Sequence, residues 1–205
     1  MSAIAERSDR RMGPPGSDNW HAMLDGAEAV LREEGHAALT SRRIAERIGV
    51  KQRLVYYYFA TMDDLIIDLF HRMSVRELER LRTAAGSSLP LREIWDVCIN
   101  TTDARLISQF MALAGRIEAL GKEVIHFIEE SRAIQVAALA EAMQRTPHGK
   151  APGTGPGAGL DPAAVAIIAT SVALTLTRER QLGTQSGHEA VLSMFERFLA
   201  SIEPA

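Results

Sequence analysis

At 205 residues, 46% hydrophobic and 24% charged, the chain has the composition of a folded globular protein with one substantial core, or a small module joined to a larger one. That balance excludes a wholly disordered chain, and the lone Cys98 excludes an internal disulfide framework and fits a reducing compartment. The net charge of −3 hides an asymmetry: between Thr40 and Tyr58 five cations (Arg42, Arg43, Arg47, Lys51, Arg53) face Glu46 alone, whereas from Asp63 onward 14 basic residues stand against 18 acidic ones. A basic patch on an acidic chain suggests a surface dedicated to a polyanion.

Residues 1–18 read as a flexible arm, polar and carrying Arg7, Arg10, Arg11 and the breaker cluster Gly13-Pro14-Pro15-Gly16. They lack the apolar stretch of a signal peptide, so a cytoplasmic protein is expected. Met23, Leu24, Ala27, Val30 and Leu31 share one face of a first helix, which Gly35 should end. A second helix starts at Thr40 or Ser41, either able to cap it, and runs to Ile48 before Gly49; a third covers about Lys51 to Tyr58. Thr61 with Asp64 approximates a capping box and opens a long helix bearing Leu65, Ile66, Leu69, Phe70 and Met73.

Apolar stripes follow at Leu91 to Cys98, Leu106 to Phe110 and Leu120 to Ile134, all first of all core faces. Residues 146–160 hold five Gly and three Pro and predict a loop. Two further helices are expected from Asp161 to about Leu182 and from Gly187 to Ile202. The apolar run from Ala163 to Thr177 is broken by Thr170, Ser171 and Thr175 and falls short of the ~20 residues a membrane span needs, so no membrane partner is expected. The predicted fold is all-α.

The functional signal is the spacing Ala45, Gly49, Val55 across two short helices joined by a tight turn. Ala45 lets the second helix pack closely, Gly49 supplies the turn, and Val55 anchors the third helix, the pattern of a helix-turn-helix whose third helix enters the DNA major groove. Side chains suited to DNA cluster there. Gln52 can pair with adenine and Arg53 can grip guanine bidentately, while Lys51 and the hydroxyls of Tyr56, Tyr57 and Tyr58 reach toward phosphates. Arg42 suits a base edge or a phosphate, and Thr40 and Ser41 offer hydroxyls and helix N-terminal amides to phosphate. Three successive aromatics on a helix point in three directions, so they cannot all serve one small core.

Residues 20–70, with LDGAEAVLREEGHAALTSRRIAERIGV, KQRLVYYYF and ATMDDL, resemble the DNA-binding head of the TetR family of regulators. The resemblance implies a helical twofold dimer in which three head helices bind a palindromic operator on double-stranded DNA and about six body helices enclose a small-molecule effector. It puts Thr40, Arg42, Gln52, Arg53 and Tyr56 at DNA-contact positions and Tyr57 and Tyr58 at phosphate-facing ones. Lys51 stands where the family often has a capping Ser, Tyr58 where it has His, and Met62 where it has Lys. The last two helices resemble the pair that packs against its mate in the dimer, with Val165, Ile168, Val172, Leu176, Val191, Leu192, Phe195 and Phe198 at the interface. The division expected is an arm (1–18), a head (19–62) and a body for effector binding and dimerisation (63–205).

Candidates for the effector pocket are Phe70, Met73, Trp95, Phe110, His126, Phe127 and Thr175, since such cavities are mostly apolar with few polar anchors. No cofactor or metal is expected. The sequence holds no HExxH and no cysteine pair, its six histidines lack metal-ligand spacing, and Gly149-Lys150 lacks the strand, the earlier Gly and the following Ser or Thr of a phosphate-binding loop. The alternatives are a ligand-independent regulator or activator with the same head and, more remotely, a helical small-molecule-binding or enzymatic protein.

Overall fold

The structure, a computed structural model, describes residues 13–100, 104–144 and 159–203. Most of the expected arm and of the Gly/Pro-rich loop lies outside those residues. Among the described residues the fold is all-helical, without a strand: α1 (Asp18–Glu33), a 3-10 turn (His36–Ala38), α2 (Ser41–Ile48), α3 (Gln52–Tyr58), α4 (Met62–Ala85), α5 (Pro90–Ile99), α6 (Ala104–Ala114), α7 (Glu118–Gln144), α8 (Pro162–Gln181) and α9 (His188–Ile202). No helix among them is long and apolar enough to cross a membrane.

The described residues divide into two compact units, one within Met1–Val75 and Arg105–His126, the other within Arg76–Ala104 and Phe127–Ala205. The division runs through α4 and α7, and α6 falls in the same unit as α1, α2 and α3. Side chains give the reason: Phe70 of α4 meets Phe110 of α6 edge to face at 5.2 Å, and the Gln109 side-chain oxygen accepts the His36 backbone N–H at 3.1 Å.

In the first unit α1 packs on α2 and α2 on α3. Ser17 caps α1, whose Met23, Leu24, Ala27, Val30 and Leu31 are all buried. Thr40 caps α2 by accepting the Arg43 N–H at 3.2 Å, and Gly49 ends it at φ 70°, a left-handed conformation costly for other residues. The expected capping box is present, with the Asp64 N–H donating to Thr61 Oγ1 and the Thr61 N–H to Asp64 Oδ2, both at 3.1 Å. Arg72 of α4 reaches Asp25 at 2.7 Å and Glu28 at 2.9 Å on α1.

Gly26 lies inside α1, where glycine ordinarily weakens a helix by about 1 kcal/mol relative to alanine. A Cβ there would sit 2.6 Å from Ile48 Cγ2, on a branched side chain with little freedom to yield. Gly26→Ala is therefore expected to destabilise by about 1–3 kcal/mol instead of stabilising, as read from urea unfolding midpoints.

In the second unit α5 packs on α8, around a core that includes Leu81, Leu91, Ile94, Leu139, Ala166 and Leu199. The N-terminus of α5 has no side-chain cap of its own. Instead Glu203, 7% exposed, accepts the Leu91 N–H at 3.2 Å and the Arg92 N–H at 3.1 Å on its two carboxylate oxygens. A carboxylate suits that end of a helix by charge and by hydrogen bonding, and this one ties α5 to the end of α9. Asp161 and Pro162 start α8 as expected, with the Ala163 N–H donating to Asp161 at 2.7 Å.

Candidate nucleic-acid interface and body cavity

The exposed end of the helix-turn-helix carries Thr40, Arg42, Lys51, Gln52, Arg53, Tyr56 and Tyr57 on or beside α2 and α3. Val55, 1% exposed, faces inward, which turns Gln52, Arg53 and Tyr56 outward. Tyr56 is half exposed, whereas Phe59 at 1% is packed, so the successive aromatics do diverge. Lys51 makes no side-chain cap at the start of α3.

Two expected surface groups are placed differently. Ser41 is buried, and its hydroxyl donates to the Tyr56 hydroxyl at 3.0 Å while accepting from the Gln52 amide at 2.9 Å. It joins α2 to α3 rather than presenting itself to a phosphate. Of Gln52 this leaves the amide oxygen and one N–H, the donor and acceptor pair that adenine requires. Tyr58 is also buried, with its ring edge to face on Tyr57 at 5.1 Å and its hydroxyl accepting from Asn19 at 3.4 Å. The helical turn that exposes Tyr56 and Tyr57 directs Tyr58 inward.

The basic patch is smaller than the sequence count. Arg43 grips Glu34 with contacts at 2.9 and 3.0 Å, and Arg47 meets Glu33 at 2.6 Å and Glu34 at 3.7 Å. The Arg43 hydrogen bond holds the Glu34 carboxyl below the usual carboxylate range. Both acids end α1, outside the window from Thr40 to Tyr58, and only the fold brings them across. Arg42 pairs with Glu46 at 2.8 Å on an exposed helix face, where such a pair is weak. Lys51 and Arg53 are exposed and in no ion pair among the described residues. At the other edge of α3 the Gly13 N–H donates to the Tyr57 carbonyl at 3.0 Å, and a Cβ on Gly13 would lie 2.5 Å from the Tyr58 ring. Arg7, Arg10 and Arg11 precede it, outside the described residues.

The second unit contains an apolar cavity of about 40 Å³. Trp95 and Cys98 from α5, Gln135 from α7, Ala169 and Thr170 from α8, and Phe195 and Phe198 from α9 line it, together with aliphatic side chains. Trp95 and Phe195 stack in parallel at 4.3 Å. Gln135, 7% exposed, accepts from the Thr170 hydroxyl at 3.1 Å and donates to the Cys98 sulfur at 3.8 Å.

Of the seven pocket candidates, Trp95 lines this cavity. Phe70, Met73 and Phe110 are no more than 1% exposed within the core of the first unit. His126 and Thr175 are exposed, Thr175 donating to the Ser171 carbonyl at 2.9 Å, and Phe127 is half-buried. Sequence reasoning passed over Gln135, although a lone amide in the apolar series Gln135, Ala138, Leu139, Ala142 was a readable sign of a polar group held inside.

Burial pushes the Cys98 thiol up to about 11, with the Glu77 charge adding to the effect. It therefore stays protonated at neutral pH, and thiolate-directed reagents are expected to label it slowly in the native protein and quickly after unfolding. A group whose pKa is raised by folding contributes stability below its unfolded value and loses it above. Stability should accordingly decline from about pH 9 toward 11, a decline that Cys98→Ser removes in pH-dependent urea titrations.

A helix-turn-helix with an exposed Gln, Arg and Tyr face suits the major groove of DNA, and the all-helical chain that carries it has an apolar cavity in its second unit. Residues 23–69, the helix-turn-helix and the start of α4, match the family of bacterial regulatory proteins, tetR family, so the chain carries a DNA-binding head of the tetR type. No curated protein matches. Among solved structures the fold is similar to a TetR transcription regulator from Haloarcula marismortui, at 18% identity and TM-score 0.69 over 87% of this chain and 95% of that one. It is similar too to a transcriptional regulator from Rhodococcus sp. Rha1, at 16% identity and TM-score 0.67 over 90% and 97% of the two chains. A third is the SmeT–triclosan complex, at 18% identity and TM-score 0.57 over 79% of each chain.

Proposed function

We propose that the protein is a cytoplasmic repressor that binds a palindromic operator as a homodimer and is released by a small-molecule effector. The observation that carries the DNA reading is the Gln52–Ser41–Tyr56 hydrogen-bonded link, which fixes the orientation of an exposed base-reading amide before DNA arrives. In this reading Gln52 and Arg53 read bases, and Lys51, Arg42, Thr40, Tyr56 and Tyr57 contact phosphates. The head functions as residues 19–62 and the body as 63–205.

Dimerisation is supported by an apolar stripe on the outer faces of α8 and α9, where Ile167, Ile168, Leu174 and Met194 are exposed. Of the interface residues expected from the sequence, Ile168 belongs to this stripe and Val165, Val172, Val191, Leu192 and Phe198 are half-buried. Leu176 and Phe195 are buried within the subunit, 4% and 7% exposed, so they support the interface from behind. Two heads spaced about 34–36 Å apart then read successive half-sites on one side of the duplex. The SmeT–triclosan complex is a protein of this fold with a small molecule, and the small apolar cavity of this chain supports a ligand site that opens on binding. Because α4 runs through both units, it is the element through which an occupied body biases the head.

Selection of bound sequences from random DNA by the purified protein tests this reading. A palindromic winner bound with two chains per duplex supports it. Binding indifferent to sequence overturns it, and operator binding that no compound releases leaves the ligand-independent regulator.

A further inference from the structure

We propose that the cavity among α5, α7, α8 and α9 takes an uncharged aromatic molecule bearing one oxygen able to accept a hydrogen bond, a phenol or an aryl ketone, and rejects carboxylates, phosphates and ammonium compounds. The inference rests on the ligand-responsive reading above and names the chemistry of that ligand.

None of the lining residues among those described carries a charge, and the Cys98 thiol is protonated. An ion entering would shed its water and meet no counter-charge on the cavity wall, while Glu77 and Arg80, which act on Cys98 from outside the lining, oppose each other there, so it is disfavoured. The one strong polar group that is nine-tenths buried is the Gln135 amide. Its oxygen is taken by Thr170, but its N–H finds only a thiol sulfur at 3.8 Å, a weak acceptor. A ligand oxygen would give that donor a proper partner. The parallel Trp95 and Phe195 rings supply flat walls, which favour an aromatic occupant.

The free space of about 40 Å³ is well below the roughly 150 Å³ of a dry cavity known to hold benzene, so an occupant must part the walls. The half-buried Trp95 is the wall that can give, because it also borders an open hollow with Leu192, Ser193, Glu196 and Arg197. A ligand that binds only the parted state favours that state by its own affinity, which is the requirement for a ligand to shift a conformational equilibrium.

The test is titration calorimetry of the full-length protein, with ligand-induced shifts in melting temperature, against 4-propylphenol, propylbenzene and 4-propylbenzoate. The phenol is expected to bind about three- to tenfold more tightly than the hydrocarbon, the gain of one neutral hydrogen bond, and the benzoate not measurably. Gln135→Leu should remove the preference for the phenol while keeping hydrocarbon binding, and Ala169→Leu, which fills the space, should remove both, with helical circular dichroism confirming that each variant folds. Benzoate binding as tight as phenol binding, or a phenol preference that survives Gln135→Leu, overturns the assignment. Phenol binding that leaves operator binding untouched supports the cavity and sinks the effector-released repressor; release of operator by other compounds, with none of the three probes bound, does the reverse.

Discussion

Replacing Arg53 by alanine is expected to weaken binding to a selected DNA site by about 1–3 kcal/mol for each half-site read, about 2–6 kcal/mol in the proposed dimer, with little effect on folding. Arg53 is exposed and in no ion pair among the described residues, so the free protein loses nothing structural with it. Gln52→Ala should cost a comparable amount at a different base pair. Ser41→Ala should cost less: the Gln52 amide survives but loses the hydroxyl at 2.9 Å that aims it. Fluorescence anisotropy on the operator and on a scrambled duplex separates the roles. A base reader loses discrimination between the two, whereas an equal loss on both would make Arg53 a phosphate contact and refute the assignment.

Phe110→Ala is expected to lower stability by about 3–5 kcal/mol, measured by urea unfolding, because it empties a site that is 0% exposed and strips the edge-to-face partner from Phe70. Phe198→Ala, on the half-buried wall of the body cavity, should cost less and should raise affinity for apolar ligands by enlarging the space. If Phe110→Ala were nearly neutral and Phe198→Ala severe, the two aromatics would have to exchange roles, with the ligand space in the first unit.

This pair of aromatics shows where the sequence was legible and where it was not. Helical periodicity marks Phe70, Phe110 and Phe198 alike as facing inward, but whether neighbouring helices close on a side chain or leave a gap depends on their spacing, which no local pattern encodes. The helix-turn-helix was legible because its determinants are local: Thr40 caps, Ala45 packs, Gly49 turns and Val55 anchors, all within 16 residues. Ser41 was misplaced because its burial is decided by Gln52 and Tyr56 on the following helix. Gly26 passed unnoticed because its reason, Ile48, is on another helix. The charge count over Thr40 to Tyr58 was right as arithmetic and wrong as electrostatics, since two of its five cations are matched from the end of α1.

Those two acids bear on how strongly the head is drawn to DNA of any sequence. Each phosphate a protein neutralises releases condensed counterions and steepens the fall of affinity with salt by about 0.9 in logarithmic slope. In the proposed dimer, Lys51 and Arg42 as phosphate contacts on two heads give a slope of roughly −4, which Arg43 and Arg47 would about double were they not matched by Glu34 and Glu33. The loss falls on the attraction to random duplex, which competes for the protein at roughly a million or more sites, and not on base recognition. A head with two of its five cations matched by acids is expected to hold random duplex more weakly, which the salt dependence of binding to a scrambled duplex would read.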